Sequence, residues 1–267
     1  MFSWLVAGSL ALMMVTSLTA DTAKERVGVV VRIKGSARYS TDSNVWQPLK
    51  VGTRLKSGAS VQTAADSYVD VLLGESDITP PRAVARDTLA YESKAQQDMV
   101  RLSQDTVLAF DKLTVMNTGS DEVTETQLDL RSGKIFGSVK KLGAGSHYEV
   151  KIPNGVAGIR GTSYSISADG VVRVLSGSVV ISWVAPDGTP MTQTVGAGYQ
   201  FDIRTGLMTP IPDRDHDEMV RACEHAQVSH RHRWFIEDHT IYYVSPTHGN
   251  NGNHGNNDGG GGGGGGD

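Results

Sequence analysis

Between Ile152 and Ile166 the chain reads IPNGVAGIRGTSYSI, a run in which Gly155, Gly158 and Gly161 surround a single cation, Arg160. A guanidinium is a planar fork of donors, so Arg160 could grip an anion, or it could tie carbonyls and carboxylates of adjacent turns that would otherwise lack a donor. The structural role is the expected one, shared with Gly155, Gly158, Gly161 and Thr162. Histidine supplies the other candidate chemistry. Seven of eight histidines, at 216, 225, 230, 232, 239, 248 and 254, fall in the last quarter of the chain, and neutral imidazole binds zinc, copper or nickel. His230 and His232 could face one side of an extended segment and are the metal candidates. No carboxylate or cysteine accompanies them at a recognised metal-motif spacing, so exposed or locally bonded histidines and no cofactor are expected.

Catalytic spacings are missing from the sequence. Gly161-Thr162-Ser163-Tyr164-Ser165 lacks the closing glycine of a nucleophile elbow, and Gly143-Ala144-Gly145 lacks the third glycine of a dinucleotide loop. Asp105, Asp129 and Asp202 fall on predicted strands or turns, where carboxylates cap and bond turns. Cys223 is the one cysteine, so no intramolecular disulfide can form, and it reads as a small half-buried residue on a helix. No enzyme is expected.

The elements that must position these residues read as short strands. Among 267 residues, 39% are hydrophobic and 20% charged, enough apolar material for one core and one main domain. The formal net charge of −4, with no long Lys/Arg run, excludes a nucleic-acid partner. An apolar residue, then Ser-Gly, then an alternating strand recurs at Leu55-Ser57-Gly58, Leu130-Ser132-Gly133 and Leu175-Ser176-Gly177. Glycine there suits a tight turn or bulge between strands, and the unequal spacing argues against a fixed-period solenoid. The expected fold is all-β, an irregular β-solenoid-like or β-roll stack of short strands and hairpins with a short C-terminal helix and a disordered tail.

Four other segments flank or interrupt that body. Residues 1–20 carry an apolar run, Leu5 to Leu18, of signal-peptide length, with cleavage expected after Ala20, no cysteine for lipid attachment and no membrane span in the mature chain. Residues 77–98 break at Pro80-Pro81 and read as an inserted loop with a short helix in ARDTLAYESKAQQD. Asp213 can cap a helix over Arg214 to Gln227, and WFIEDHTIYYV (234–244) reads as strand-like. Residues 213–244 are expected to cap one end of the β-stack, and 245–267, rich in Gly, Asn and His, to be disordered.

Read in order, VGTRLKSGASVQT (51–63), VRLSQDTVLAF (100–110), LDLRSGKIFGSVKK (128–141), the IPNGVAGIRGTSYSI segment, VVRVLSGSVVISW (171–183) and VGAGYQFDI (195–203) resemble the FecR domain family. The resemblance covers about residues 27–203 and is named for a periplasmic regulator of ferric-citrate uptake. It implies a non-enzymatic β-domain, periplasmic or secreted, used for sensing or interaction, with an envelope protein or surface polymer as partner. A structural or surface-matrix protein tethered by its glycine-rich tail and a metal binder using the C-terminal histidines are the alternatives. About 26 residues precede the domain here, whereas the namesake regulators carry an anti-sigma segment and a transmembrane helix before it.

Overall fold

The computed structural model describes residues 23–41, 45–75, 83–84, 88–89, 98–118, 121–229, 233–237 and 240–244. The expected signal peptide, the expected disordered tail, and the metal candidates His230 and His232 lie outside the described residues. The first strands are β1 (Lys24–Lys34), β2 (Ala37–Ser40), β3 (Gln47–Pro48), β4 (Arg54–Leu55), β5 (Ser60–Thr63), β6 (Tyr68–Glu75), β7 (Ala83–Val84) and β8 (Thr88–Leu89). Next come β9 (Asp98–Leu102), β10 (Val107–Asn117), β11 (Glu122–Ser132), β12 (Lys134–Ser138), β13 (His147–Ile152), β14 (Gly155–Ile159), β15 (Ser163–Ser167) and β16 (Val171–Ser176). The last are β17 (Ser178–Val184), β18 (Pro190–Gly196), β19 (Tyr199–Asp202), β20 (Leu207–Pro210), helix α1 (Asp213–Ser229), β21 (Arg233–Glu237) and β22 (Thr240–Val244).

Hydrogen-bonded neighbours arrange these strands in two layers. The first runs β3-β2-β5-β10-β11-β13-β14-β17-β18, and its one parallel pair among the described strands is β11 with β13. The second runs β4-β1-β6-β9-β12-β15-β16-β19-β20, all antiparallel. At its start β1 also pairs with β10, joining the layers into one 18-stranded, nearly closed roll. The all-β roll of short strands and hairpins expected from sequence is therefore the observed fold.

Period-two alternation builds the core between the layers. In β11 the side chains of Thr124, Thr126, Leu128 and Leu130 are buried while the residues between them are not, and in β17 Val179 and Ile181 alternate in the same way. Fully buried leucines such as Leu108, Leu113, Leu128 and Leu130 each contribute about 1.5–3 kcal/mol relative to exposure.

One device turns the chain from layer to layer, and it recurs three times. Gly35 between β1 and β2, Gly133 between β11 and β12, and Gly177 between β16 and β17 have φ of 76°, 80° and 80°. Against them stand Ser67, Thr106 and Thr162, hydroxyl residues at the crossings that open β6, β10 and β15. Each hydroxyl accepts the N–H that follows its glycine, from Ser36 at 2.9 Å, Lys134 at 3.1 Å and Ser178 at 3.3 Å. Each also offers its proton to the carbonyl two residues before itself, on Ala65 at 2.9 Å, Gln104 at 3.1 Å and Arg160 at 3.3 Å. The residue between is left-handed in every case, with φ of 54° at Asp66, 52° at Asp105 and 67° at Gly161. All three glycines of the Ser-Gly repeat read from sequence thus sit in left-handed turns between strands, Gly58 between β4 and β5 with open space around it, but only Gly133 and Gly177 form layer crossings, and the third crossing is Lys34-Gly35.

Two further differences from expectation have physical causes. Helix α1 lies across the outer face of the second layer and not over an end of the stack, because Phe136 and Leu175 point outward there and Ile211, Met219 and Ala222 bury against them. Ion pairs fix it, Lys134 to Glu218 at 2.8 Å and Arg173 to Asp215 at 3.1 Å. Within the insertion β8 is a strand inside the run where composition pointed to a helix, most of which lies outside the described residues; β8 pairs with β7 and β21 in a separate four-stranded sheet of β7, β8, β21 and β22. A partner strand outweighs helix propensity in so short a segment.

Candidate functional site

The signature segment forms the β13–β14 hairpin and the crossing after it. Ile152 pairs with Gly155 across the Pro153-Asn154 turn, and Gly155 in turn stands opposite Trp183 of β17. A Cβ on Gly155 would come within 2.7 Å of the Ser182 carbonyl oxygen and 3.2 Å of Trp183 Cβ, so the missing side chain lets the hairpin tip lie flat against β17. Trp183 is half-buried and packs on Phe201 of the other layer with ring centroids 5.1 Å apart, plugging the mouth of the roll.

Around that plug opens a groove of about 980 Å3. Pro153, Asn154 and Val156 of the hairpin tip form one wall, Val184, Pro186, Pro190 and Met191 around the β17–β18 turn another, and Ile203 with Arg204 the side belonging to the second layer. The rim is held by local bonds. Arg204 donates from Nε and Nη2 to Asp202 at 3.2 and 3.0 Å, and its guanidinium holds that carboxyl below the usual range. The Thr189 N–H, 2.9 Å from Asp187 Oδ1, lowers the Asp187 carboxyl in the same way.

Beside the groove the outer face of β14, β17 and β18 carries no charged side chain, and the first charges next to it are Glu149 and Lys151 of β13, opposite Gly158 and Val156. Val156 and Gly158 of β14, Val180, Ser182 and Val184 of β17, and Thr192 and Thr194 of β18 alternate outward, with Val180 43% and Val184 66% exposed. β18 has one neighbouring strand among the described residues, so its far edge presents unpaired backbone groups. A Cβ on Gly158 would meet nothing closer than the Val180 carbonyl oxygen at 3.8 Å, so packing within the chain does not require glycine there.

Arg160 departs from expectation. It is exposed, and its guanidinium makes no ion pair or hydrogen bond among the described residues. Alternation turns Ala157 and Ile159 inward and leaves the next residue outside. The carbonyls it was expected to tie are met by the buried Thr162, whose hydroxyl reaches the Ser178 oxygen at 2.8 Å as well as that of Arg160. Arg160→Ala should therefore change stability by less than about 0.5 kcal/mol, as surface changes do, while Thr162→Ala should cost about 1–3 kcal/mol through orphaned backbone groups. Urea melts of the two variants check this, and a larger loss from Arg160→Ala would contradict it.

Sequence reading missed a buried polar cluster. Arg26 donates from Nη1 to Thr126 Oγ1 at 3.2 Å and from Nη2 to the Leu73 oxygen at 3.4 Å, and stands 3.7 Å from Asp98. The Lys140 N–H reaches Asp98 Oδ1 at 2.9 Å, and Tyr164 donates to Tyr148 at 3.1 Å in the room that Gly137 leaves for its ring. Arg26, Asp98, Tyr148 and Tyr164 are each 3% exposed or less, so no reactant reaches them. A charge on an apolar strand, as in DMVRL, was the available signal. Burial raises the Asp98 carboxyl against the opposing pull of the Lys140 N–H and Arg26, and it raises both tyrosines, which stay neutral. The folded state then holds the Asp98 proton more tightly than the unfolded chain does. That contribution is complete below the ordinary 3.8 and is lost as pH rises through the folded value. Relative to Asp98→Asn, the native protein should lose melting temperature from acid to neutral pH; a widening advantage would contradict this.

Among the described residues no group of three or more His, Cys, Asp or Glu is placed to hold a metal. No described helix is long and apolar enough to cross a membrane.

Residues 90–180 match the family described as FecR protein. The match takes in β9 to β16, the signature hairpin and two of the three corners, and is shorter than the span read from sequence. No curated protein matches the chain. Two crystal structures, each of a protein assigned as an anti-sigma factor from Parabacteroides distasonis ATCC 8503, are similar to it. One shares 13% identity and a TM-score of 0.32, covering 60% of this chain and 94% of the other. The second shares 14% identity and a TM-score of 0.31, covering 57% and 92%.

Proposed function

We propose that this chain is an exported, non-catalytic FecR-domain protein that acts as an interaction or sensing module of the bacterial envelope, holding a protein partner on the β14–β17–β18 face. One observation carries the reading: the FecR match contains the hairpin whose tip walls the groove, and the face beside it leaves branched apolar side chains in the open next to an edge strand. Gly158 adds to it, since a glycine that internal packing does not require permits close approach from outside. Export rests on the Leu5 to Leu18 run, and N-terminal sequencing of envelope-extracted protein is expected to begin at Asp21.

Site-specific photocrosslinking in the full chain tests the surface. A crosslinker at Thr192, on the exposed edge strand, is expected to capture one saturable envelope protein, whereas one at Lys50 on the opposite end of the first layer is not. Capture at Lys50 alone, or equal capture at both positions, would overturn the assignment of the face.

A further inference from the structure

A second groove, of about 790 Å3, runs between α1 and the outer face of the second layer, remote in chemistry from the apolar mouth. Its walls carry Lys34, Arg101, Lys134, Arg214 and Arg221 against two acids, Asp66 and Glu218. Arg101 is committed to Asp70, and Lys134 to Glu218. Lys34, Arg214 and Arg221 are exposed, and their side chains make no ion pair or hydrogen bond among the described residues. With Asp70 neutralising Arg101, five cations less three acids leave net +2 around the groove in a chain of formal net charge −4. A concave wall of one sign concentrates the field and attracts the opposite charge.

The rings in the groove narrow the choice of ligand. Arg101 lies over the Tyr68 ring at 4.5 Å and Lys134 over Phe136 at 4.9 Å, so each ring already carries a cation where a sugar would stack. Two of the three uncommitted cations are arginines, whose planar forks match carboxylates bidentately. We propose that this groove docks an extended, Asp/Glu-rich segment of a partner protein. The site goes beyond the apolar face proposed above and does not depend on it.

The full chain titrated at low ionic strength with a fluorescein-labelled hexaglutamate peptide tests this by anisotropy. Binding is expected, and the triple variant Lys34→Ala, Arg214→Ala, Arg221→Ala should weaken it about tenfold, since each exposed charge contributes a fraction of a kcal/mol. The matched variant Lys24→Ala, Lys50→Ala, Lys141→Ala removes the same charge from exposed positions outside the groove and should leave binding within about twofold. Equal melting temperatures certify both variants. Absence of hexaglutamate binding, equal weakening by the two triples, or tighter binding of a hexagalacturonate probe lost in the groove variant would each overturn the proposal, the last in favour of an acidic glycan.

Discussion

Arg101→Ala is expected to cost about 3–5 kcal/mol, the loss typical of removing one partner from a buried ion pair and a large share of the about 5–15 kcal/mol that holds an ordinary domain folded. Asp70 is 0% exposed and stands directly opposite Arg101 in register on β6 and β9. Arg101 meets it through Nε at 2.6 Å and Nη2 at 2.8 Å, a two-point grip that Arg32, 3.7 Å away on the other side, cannot replace. The cost arises from the stranded carboxylate and not from the lost attraction alone. The double variant Asp70→Ala/Arg101→Ala should then lose less than Arg101→Ala by itself, because the fully buried carboxylate is gone while Arg32, its side chain 16% exposed, still reaches solvent. Urea denaturation at neutral pH decides it. A single-variant loss below about 1 kcal/mol, or a double variant worse than the single, would contradict the assignment.

Gly133→Ala should be nearly as damaging. A side chain at φ of 80° costs about 1–2 kcal/mol, and the new Cβ would stand 2.6 Å from Thr106 Cα and 2.7 Å from the Asp105 oxygen, backbone atoms that cannot step aside. Forced overpacking adds about 1–3 kcal/mol. Gly58→Ala is the control, since its φ of 89° carries the same backbone strain with nothing within 4 Å of the added atom. The difference between the two losses isolates the corner contact. Equal losses would mean that the corner does not clamp the layers.

How far the fold was legible in the sequence depended on whether the deciding contact was local. Alternation in LDLRS and SVVISW exposed the strands because one buried face imposes a period of two, and Asp213 with the acidic first turn of α1 marked a helix found over Asp213–Ser229. Ser67, Thr106 and Thr162 stayed hidden as corner partners because each bonds a residue 16 to 31 positions away, and A-D-S, Q-D-T and R-G-T look like ordinary turns. The same distance concealed Asp70 with Arg101, whereas the reading of Arg160 was reversed locally, by the hydroxyl two residues on that meets its expected acceptors. The position of α1 was unreadable for a related reason: Phe136 and Leu175 face outward because Ile135 and Val174, the residues before them, face the core.

Of the candidate site, the glycine-spaced hairpin was visible and the face it completes was not. Val180, Val184 and Thr192 follow Gly158 by more than twenty residues and join it only through the β14–β17 and β17–β18 pairings. The most direct test is therefore a quantitative pull-down from envelope extract, comparing the full chain with a Val156→Asp/Val180→Asp variant whose melting temperature is unchanged. A saturable partner retained by the native chain and reduced at least about tenfold by two buried like charges at the interface is the predicted result. Equal recovery of that partner by both proteins would contradict the account.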